Sequence, residues 1–294
     1  MSVVAIGNFD GVHVGHQAVL KHARGVGLDR LIVITFWPHP VSVLRPERAP
    51  KLLSDLQTRI EWLRQAGADE VRVVRFTPAV AGMSPEQFVD TFVRPLKPSR
   101  VVVGDNFRFG HKASGDVELL RQLGEGQFAV EALELEGIEN ETTCSTNIRT
   151  ALTAGDVETA ARHLGRPFQM RGLVVVGDQR GREMGFPTAN LLPDHSMAVP
   201  ADGVYAGWLT RVDIPGGAPM KAAISVGSNP TFDGVERRVE SNVIDRHDLS
   251  LYGAEVTVDF IAHLRGQVRF ESVEQLIEQM RADVDRTREI LPGA

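Results

Sequence analysis

The sequence predicts two domains of different class: an α/β domain built on a parallel sheet, then an antiparallel β-barrel followed by one helix. Three observations lead there. Up to about residue 165, short apolar runs alternate with stretches whose apolar residues recur at helical spacing, the rhythm of a sheet covered by helices on both faces. Beyond that point, β-type runs follow one another across turn signals with no long helix between them, which reads as a closed barrel. Between the two, Leu164-Gly165-Arg166-Pro167 interrupts the helical pattern. The boundary is expected near Gly165, giving domains 1–165 and 166–294.

Composition narrows the class further. The 294 residues are 43% hydrophobic and 24% charged, ordinary for a soluble globular chain with length for one large or two medium domains. A formal net charge of -6 argues against nonspecific nucleic-acid binding, and no basic stretch with interleaved aromatics occurs. Cys144 is the single cysteine, so no intrachain disulfide forms and a reducing compartment fits. No apolar run approaches the roughly 20 residues of a membrane-spanning helix. The chain enters a strand at once, without the basic and apolar segments of a signal peptide. These features together read as a cytoplasmic protein.

In the first domain, Val3-Val4-Ala5-Ile6 reads as a buried parallel strand. Gly7-Asn8-Phe9-Asp10-Gly11-Val12-His13-Val14-Gly15-His16-Gln17 follows, and Gln17 to Arg24 reads as a helix. Strand, glycine-containing turn and helix in succession point backbone N–H groups at an anion. His13 and His16 are three apart, so both imidazoles can face one side of a helical turn. Each can then donate to a phosphate oxygen where charge builds as a nucleotide bond breaks. Gly15 between them lets a bulky ligand approach the backbone. Zinc would want further ligands at another spacing, and none lies nearby. No lysine follows a glycine, so any use of ATP does not follow the P-loop pattern.

Further along, Leu31 to Phe36 is a strand closed by Pro38-His39-Pro40, and Ser54 to Gln65 carries Leu56, Ile60 and Leu63 at helical spacing. Val71 to Phe76 reads as a strand, Pro85 to Phe92 as a helix and Val101 to Val103 as a strand. Ligands of such sheets gather at the carboxyl ends of the strands, by the switch point in strand order. Gly104-Asp105-Asn106-Phe107-Arg108-Phe109-Gly110 falls at such an end. Asn106 can hydrogen-bond a ribose or phosphate; Phe107 and Phe109 can stack on a flat ring or anchor the loop to the core. In Thr143-Cys144-Ser145-Thr146-Asn147-Ile148-Arg149, Ser145 or Thr146 can cap the next helix. Arg149, one turn inside, can reach phosphates. Thr146 to His163 reads as two short helices broken at Gly155-Asp156.

In the second domain, Gln169 to Val176, Gly203 to Val212, Met220 to Val226, Arg238 to Ile244 and Val256 to Leu264 read as strands. Ser272 and Gln275 make a capping box for a last helix. The apolar stripe of that helix (Val273, Leu276, Ile277, Met280, Val284, Leu291) is expected to pack on the barrel. The chemistry concentrates in the stretch from Gly177 to Asn190. Gly177, Gly181 and Gly185 make a loop able to approach phosphates. Thr188 and Asn190, two apart in an extended segment, point their oxygens the same way, a reasonable pair of hard ligands for Mg²⁺.

Several of these stretches carry a resemblance. Gly7 to Gln17 resembles the opening motif of the His-x-Gly-His nucleotidyltransferases, in the form found in prokaryotic FAD synthetases. Gly104 to Gly110 resembles their Gly-x-x-Phe-Arg-Phe-Gly motif. Thr143 to Arg149 resembles their Ser-Ser-Thr-x-x-Arg, with Cys144 in place of the first serine. Gly181 to Asn190 is similar, residue for residue, to the Gly-Arg-x-x-Gly-Phe-Pro-Thr-Ala-Asn motif of riboflavin kinases. Gly203-Val204-Tyr205, Ser225 to Phe232 and Val239 to Asp245 resemble later motifs of that family. Ser250-Leu251-Tyr252-Gly253 stands where the family has Asp-Leu-Tyr-Gly. The resemblance to the bifunctional riboflavin kinase/FMN adenylyltransferases spans nearly all of the chain.

That resemblance implies a Rossmann-like nucleotidyltransferase domain and a riboflavin kinase-like barrel, with riboflavin, FMN and ATP as small-molecule substrates. It implies Glu240 as the base that accepts the riboflavin 5′-hydroxyl proton, and Thr188 and Asn190 as Mg²⁺ ligands. Gly177, Gly181, Gly185 and Asn190 would bind the nucleotide there. In the first domain it implies His13, His16 and Arg149 in adenylyl transfer, with Gly7, Asn8, Phe9, Asn106, Ser145 and Thr146 on the nucleotide. Phe107, Arg108 and Phe109 would hold the flavin. It implies no nucleic-acid or membrane partner and leaves a homo-oligomer open. A monofunctional kinase with an altered first domain, or a non-catalytic flavin-binding protein, also stays open.

Overall fold

Every residue of Ser2–Ile6 (β1) is buried, which places this strand at the centre of its sheet. The structure, a computed structural model, describes residues 2–25, 29–134, 144–176, 186–231, 234–246 and 249–291, with backbone alone at 229–231 and 234–236. After β1 come α1 (Val14–Gly25), β2 (Arg30–Trp37), α2 (Pro40–Leu44), α3 (Leu56–Gln65) and β3 (Glu70–Arg75). Then follow α4 (Pro78–Ala81), α5 (Pro85–Phe88), β4 (Pro98–Gly104), α6 (Val117–Gly124) and β5 (Ala129–Leu133). The five strands form one parallel sheet in the order β3-β2-β1-β4-β5. Its central strands read as unbroken apolar runs because both faces are covered. Val4, Ile6, Ile32, Ile34, Val101 and Val103 pack on one side with Phe36, Phe88 and Phe109. Val3, Ala5, Leu31, Val33 and Val102 pack on the other with Leu20, Trp62 and Leu63.

The strand order reverses between β1 and β4, so the switch-point crevice opens beyond the carboxyl ends of these two strands. The stretches from Gly7 and from Gly104 leave the sheet there. Sequence periodicity does not announce β5, a half-exposed edge strand interrupted by Glu131. Nor does it announce α6, whose start is set by the Asp116 carboxylate accepting from Leu119 N at 2.9 Å. The helix expected over Pro85 to Phe92 begins with a capping box of Ser84 and Gln87, then loosens into a π turn over Val89–Val93.

The chain divides into two compact units, residues 1–145 and 146–294. The second contains α7 (Ser145–Ala154) from its second residue, α8 (Val157–Leu164), β6 (Phe168–Val175), β7 (Thr188–Leu191), β8 (Gly203–Arg211), β9 (Met220–Thr231), β10 (Gly234–Val243), β11 (Glu255–Arg265) and α9 (Val273–Ile290). The helical pattern does give way to strands near Gly165, yet the division by packing comes earlier, because α7 and α8 lie against the barrel. Ala201 N donates to Leu152 O at 2.9 Å, and His263 N donates to Glu158 Oε1 at 3.0 Å.

The six strands close antiparallel in the order β10-β7-β6-β11-β8-β9. Tyr205, Leu209, Ile224, Val226, Val239, Val258 and Phe260 are fully buried in the core of this unit. β8 and β11 approach so closely at Gly207 that a Cβ there would lie 2.0 Å from Asp259 O. β7 was legible only as an extended Thr-x-Asn segment, being four residues long. In α9 the Ser272 side chain accepts from Gln275 N, and Gln275 Oε1 reaches back to Glu271 N. α9 packs on β8, β9 and β11 as its stripe predicts, and Leu276, Met280 and Val284 on that stripe also line a cavity.

Candidate active sites

In the first unit the site begins where β1 ends. The His13 carbonyl accepts from Gln17 N at 2.9 Å, so His13 stands at the head of α1 and His16 in its first turn. The helix therefore starts at Val14, sooner than the apolar spacing from Gln17 suggested. The two imidazoles stack with centroids 3.6 Å apart and planes inclined by 21°. The Phe9 ring meets His16 edge-on at 5.1 Å. His13 is buried and His16 half-buried. Phe9 (φ +52°), Gly11 (φ +78°) and Val12 (φ +38°) all occupy the left-handed region. That conformation is unstrained for glycine and costs roughly 1–3 kcal/mol for another residue. At Gly7, an added Cβ would press to 3.0 Å from the Phe9 ring. Among the described residues the buried Asn8 Oδ1 has no hydrogen-bond partner. The Ser145 hydroxyl, within the first unit, donates to Asp10 O at 3.1 Å.

The loop after β4 is divided in character. Asn106 and Arg108 are exposed, and Arg108 pairs with Asp116 at 3.2 Å. Phe107 is half-buried and stacks on Phe109 at 5.5 Å. Phe109 itself is buried in the core against Phe88, and its ring sits where a Cβ at Gly115 would go. Of the two aromatics, Phe109 anchors the loop and Phe107 keeps surface for a ligand. Thr146, exposed, and Arg149, half-buried, lie on α7 within the second unit. Gly177, Gly181 and Gly185 lie outside the described residues.

In the barrel, strand register assembles the site. Glu240 on β10 pairs with Asn190 on β7 and with Ser225 on β9; Asn242 pairs with Thr188 and Ala223. Thr188 and Asn190 share a face of β7, and Asn190 Nδ2 lies 3.3 Å from Thr188 Oγ1. Glu240, Asn242, Thr188 and Ser225 line one side of a cavity of about 240 Å³. Its apolar wall is Val204, Ala223, Phe270, Leu276, Met280 and Val284. Arg265 grips Asp283 through two nitrogens, with Nη2 at 2.7 Å from Oδ2, and so ties β11 to α9 along the cavity. Gln267 Nε2 donates to Val226 O at 2.8 Å and Ser225 Oγ at 3.2 Å, closing another edge. A mostly apolar cavity with convergent polar groups at one side suits a ligand with an apolar body and a polar end. A threonine hydroxyl, an asparagine amide and a nearby carboxylate are hard oxygen donors that fit Mg²⁺ accompanying phosphates. Among the described residues no group of three or more His, Cys, Asp or Glu would hold a metal unaided.

Arg59, Asp10 and Ser54 beneath the first site, and Arg265, Gln267, Phe270 and Asp283 at the second, are not marked as site residues by any motif in the sequence. Arg59 did leave a signal. It falls three after Leu56 and four before Leu63, inside the apolar stripe of α3, where a charge has reason to be paired. The cavity residues left none, since they converge from three separate elements.

A phosphate-suited loop at the switch point of a parallel sheet, and a separate barrel holding a carboxylate beside an apolar slot, define a two-site transferase working on nucleotides. The family model described as FAD synthetase matches residues 1–147, and the one described as riboflavin kinase matches residues 164–291. A bifunctional riboflavin kinase/FMN adenylyltransferase of Listeria monocytogenes is 36% identical over 97% of this chain and 91% of its own length. Proteins of the same description from Bacillus subtilis and Escherichia coli are each 34% identical, over 96% and 98% of this chain and 90% and 92% of theirs. A crystal structure described as a macrolide-efflux protein from Streptococcus pneumoniae superposes with a TM-score of 0.88 at 32% identity, covering 98% of this chain and 93% of that one. Among the described residues no helix is long and apolar enough to cross a membrane. The chain belongs to the bifunctional riboflavin kinase/FMN adenylyltransferase family.

Proposed function

We propose that this chain makes FAD from riboflavin in two ATP-dependent steps, each on its own domain. Residues 166–294 phosphorylate riboflavin, and residues 1–165 adenylylate the FMN. The observation that carries this reading is the register of β10 on β7, which sets Glu240 opposite Asn190 and Asn242 opposite Thr188, with Glu240, Asn242 and Thr188 at the wall of a mostly apolar cavity.

In the barrel the flavin ring would fill the slot, with its 5′-hydroxyl toward Glu240. Glu240 takes the hydroxyl proton, the oxygen attacks the γ-phosphorus of ATP, the bond to the bridging oxygen breaks, and ADP leaves. Thr188 and Asn190 would hold Mg²⁺, which when bound neutralises phosphate charge. Phosphoryl transfer asks mainly for positioning and charge neutralisation. Gly177, Gly181 and Gly185 would line the phosphates.

In the first domain an FMN phosphate oxygen attacks the α-phosphorus of a second ATP, and pyrophosphate leaves. An ionised phosphate is already nucleophilic, so donors are needed here rather than a base. His13 and His16 would donate to the phosphates, with Arg149 assisting the leaving group. Gly7, Asn8, Phe9, Asn106, Ser145 and Thr146 would hold the nucleotide; the buried acceptor of Asn8 supports its place among them. Phe107 and Arg108 would meet the flavin, with Phe109 bracing them from the core. We place the work in the cytoplasm, where a chain with one cysteine needs no disulfide.

The test is product separation after incubation with ATP and Mg²⁺. Riboflavin should give FMN and then FAD, and supplied FMN should give FAD directly. FMN accumulating without FAD would remove the adenylyl-transfer half; flavin bound without ATP turnover would remove both.

A further inference from the structure

Beneath the Gly7–His16 loop lies a fully buried ion pair. Arg59 and Asp10 meet at 3.0 Å, with side chains 0% and 1% exposed. The Arg59 guanidinium has five N–H groups, and acceptors from Ser54, Asn8, Phe36 and Asp10 surround it. Nε donates to Ser54 Oγ at 3.3 Å. Nη1 donates to Asn8 O at 3.1 Å and Phe36 O at 3.4 Å. Nη2 donates to Asp10 Oδ1 at 3.0 Å and Ser54 O at 3.5 Å. The Asp10 carboxylate also accepts from Leu53 N at 3.1 Å, and Ser54 Oγ accepts from Gly11 N at 3.2 Å. The Thr35 hydroxyl donates to the same Asn8 carbonyl at 2.8 Å.

Burying a charge pair is a poor way to gain stability, since well-packed apolar residues do as well. What this pair does that apolar residues cannot is grip chosen atoms. Those atoms are the Asn8 carbonyl and the Asp10 carboxylate, on either side of Phe9. Phe9 is the first of three left-handed residues in this loop, with Gly11 and Val12, the last immediately before His13. Such a conformation persists only where its surroundings over-determine it. Arg59 and Ser54 supply that constraint from α3 and the turn before it.

We propose that Arg59, with Ser54, is a positioning residue for adenylyl transfer. It holds the Asn8–Val12 backbone in the one shape that delivers the stacked imidazoles of His13 and His16 to the reacting phosphates. The proposal rests on the adenylyl-transfer reading above. A lysine keeps the charge but offers three donors from a single point and cannot reproduce the fork.

The experiment is a double-mutant cycle on the full-length protein, reading kcat for FAD formation from supplied FMN. Arg59→Lys should lower kcat by about 10- to 100-fold, the scale of a misplacement of about 1 Å. FMN formation from riboflavin by the same preparation should stay within about twofold, since the kinase chemistry is proposed on other residues that share no partner with Arg59. In a His16→Ala background the same Arg59→Lys change should cost less than about twofold, because there is no longer an imidazole pair to place. A purely structural role predicts that the two losses multiply, and that result overturns the proposal, as does wild-type kcat in Arg59→Lys. If Arg59→Lys leaves the first domain unfolded by circular dichroism, Ser54→Ala removes one hydroxyl and runs the same cycle with the same two outcomes. A wild-type chain that makes no FAD from FMN overturns the adenylyl-transfer reading instead, so the two failures are distinct.

Discussion

The two candidate sites are built from different materials. In the first unit the site is a length of backbone, bent through left-handed residues at the end of β1 and pinned from below by a buried guanidinium. In the barrel the groups are side chains on adjacent strands, placed by register alone: Glu240 opposite Asn190, Asn242 opposite Thr188. A loop needs bracing to keep a shape that its residues disfavour. A strand pair does not, because alternation and the hydrogen-bonded ladder already fix which side chains share a face. The first site should therefore be sensitive to changes beneath it, and the second chiefly to changes in the groups that line it.

The sharpest break of that comparison is Glu240→Ala. Loss of a general base typically costs about 10²–10⁴ in rate, so FMN formation should fall by that amount while supplied FMN is still converted to FAD. Kinase turnover near wild type would take Glu240 out of the mechanism. Next comes His16→Ala, which should lower FAD formation by about 10²–10³, the usual cost of one transition-state donor, and spare FMN formation. Loss of both products together would mean that the sites are not independent. Thr188→Val is expected to weaken the Mg²⁺ dependence of FMN formation by at least the roughly tenfold seen when a metal's outer partners are lost. An unchanged Mg²⁺ titration would exclude that hydroxyl as a ligand.

The smallest effect comes from the far end of the same sheet. Asp69 accepts from Leu31 N at 2.8 Å and pairs with Arg24 at the start of β2, whereas the site lies beyond the strand's other end. The Leu31 amide, and then Arg24, hold its carboxyl below the ordinary value. A depressed folded-state pKa adds stability above the unfolded value, and that stability is lost as pH falls through the folded one. Asp69→Asn should thus cost at most about 1 kcal/mol at neutral pH after solvent screening, and the difference in melting temperature should close below about pH 4. FAD formation should not change. A loss of activity there would show that the whole sheet, rather than the Arg59 bracket, supports the loop.

Much of the architecture was legible because it rests on periodicity. Val3 to Ile6 and Leu31 to Phe36 are unbroken apolar runs, and Ser272 with Gln275 marks a helix start, all readable within a few residues of sequence. The elements that escaped notice were those with weak local signals: β5 at an exposed edge and β7 with four residues. In the sites, Thr188 with Asn190 and His13 with His16 were legible from spacing, since neighbours on one element share a face. Arg59, Arg265 and Asp283 were harder, because their partners lie far along the chain.

By itself, the sequence determined the two fold classes, the strongly periodic elements, the family and the short motifs, all of them legible in residues close in the chain. Only the tertiary structure decided that α7 and α8 join the barrel, that Phe109 is an anchor, and that the stripe of α9 walls a cavity. It alone seated a guanidinium beneath the loop that leads to His13. The reason is desolvation: a buried donor or acceptor must find its partner wherever the fold brings one, and chain spacing carries no record of that meeting.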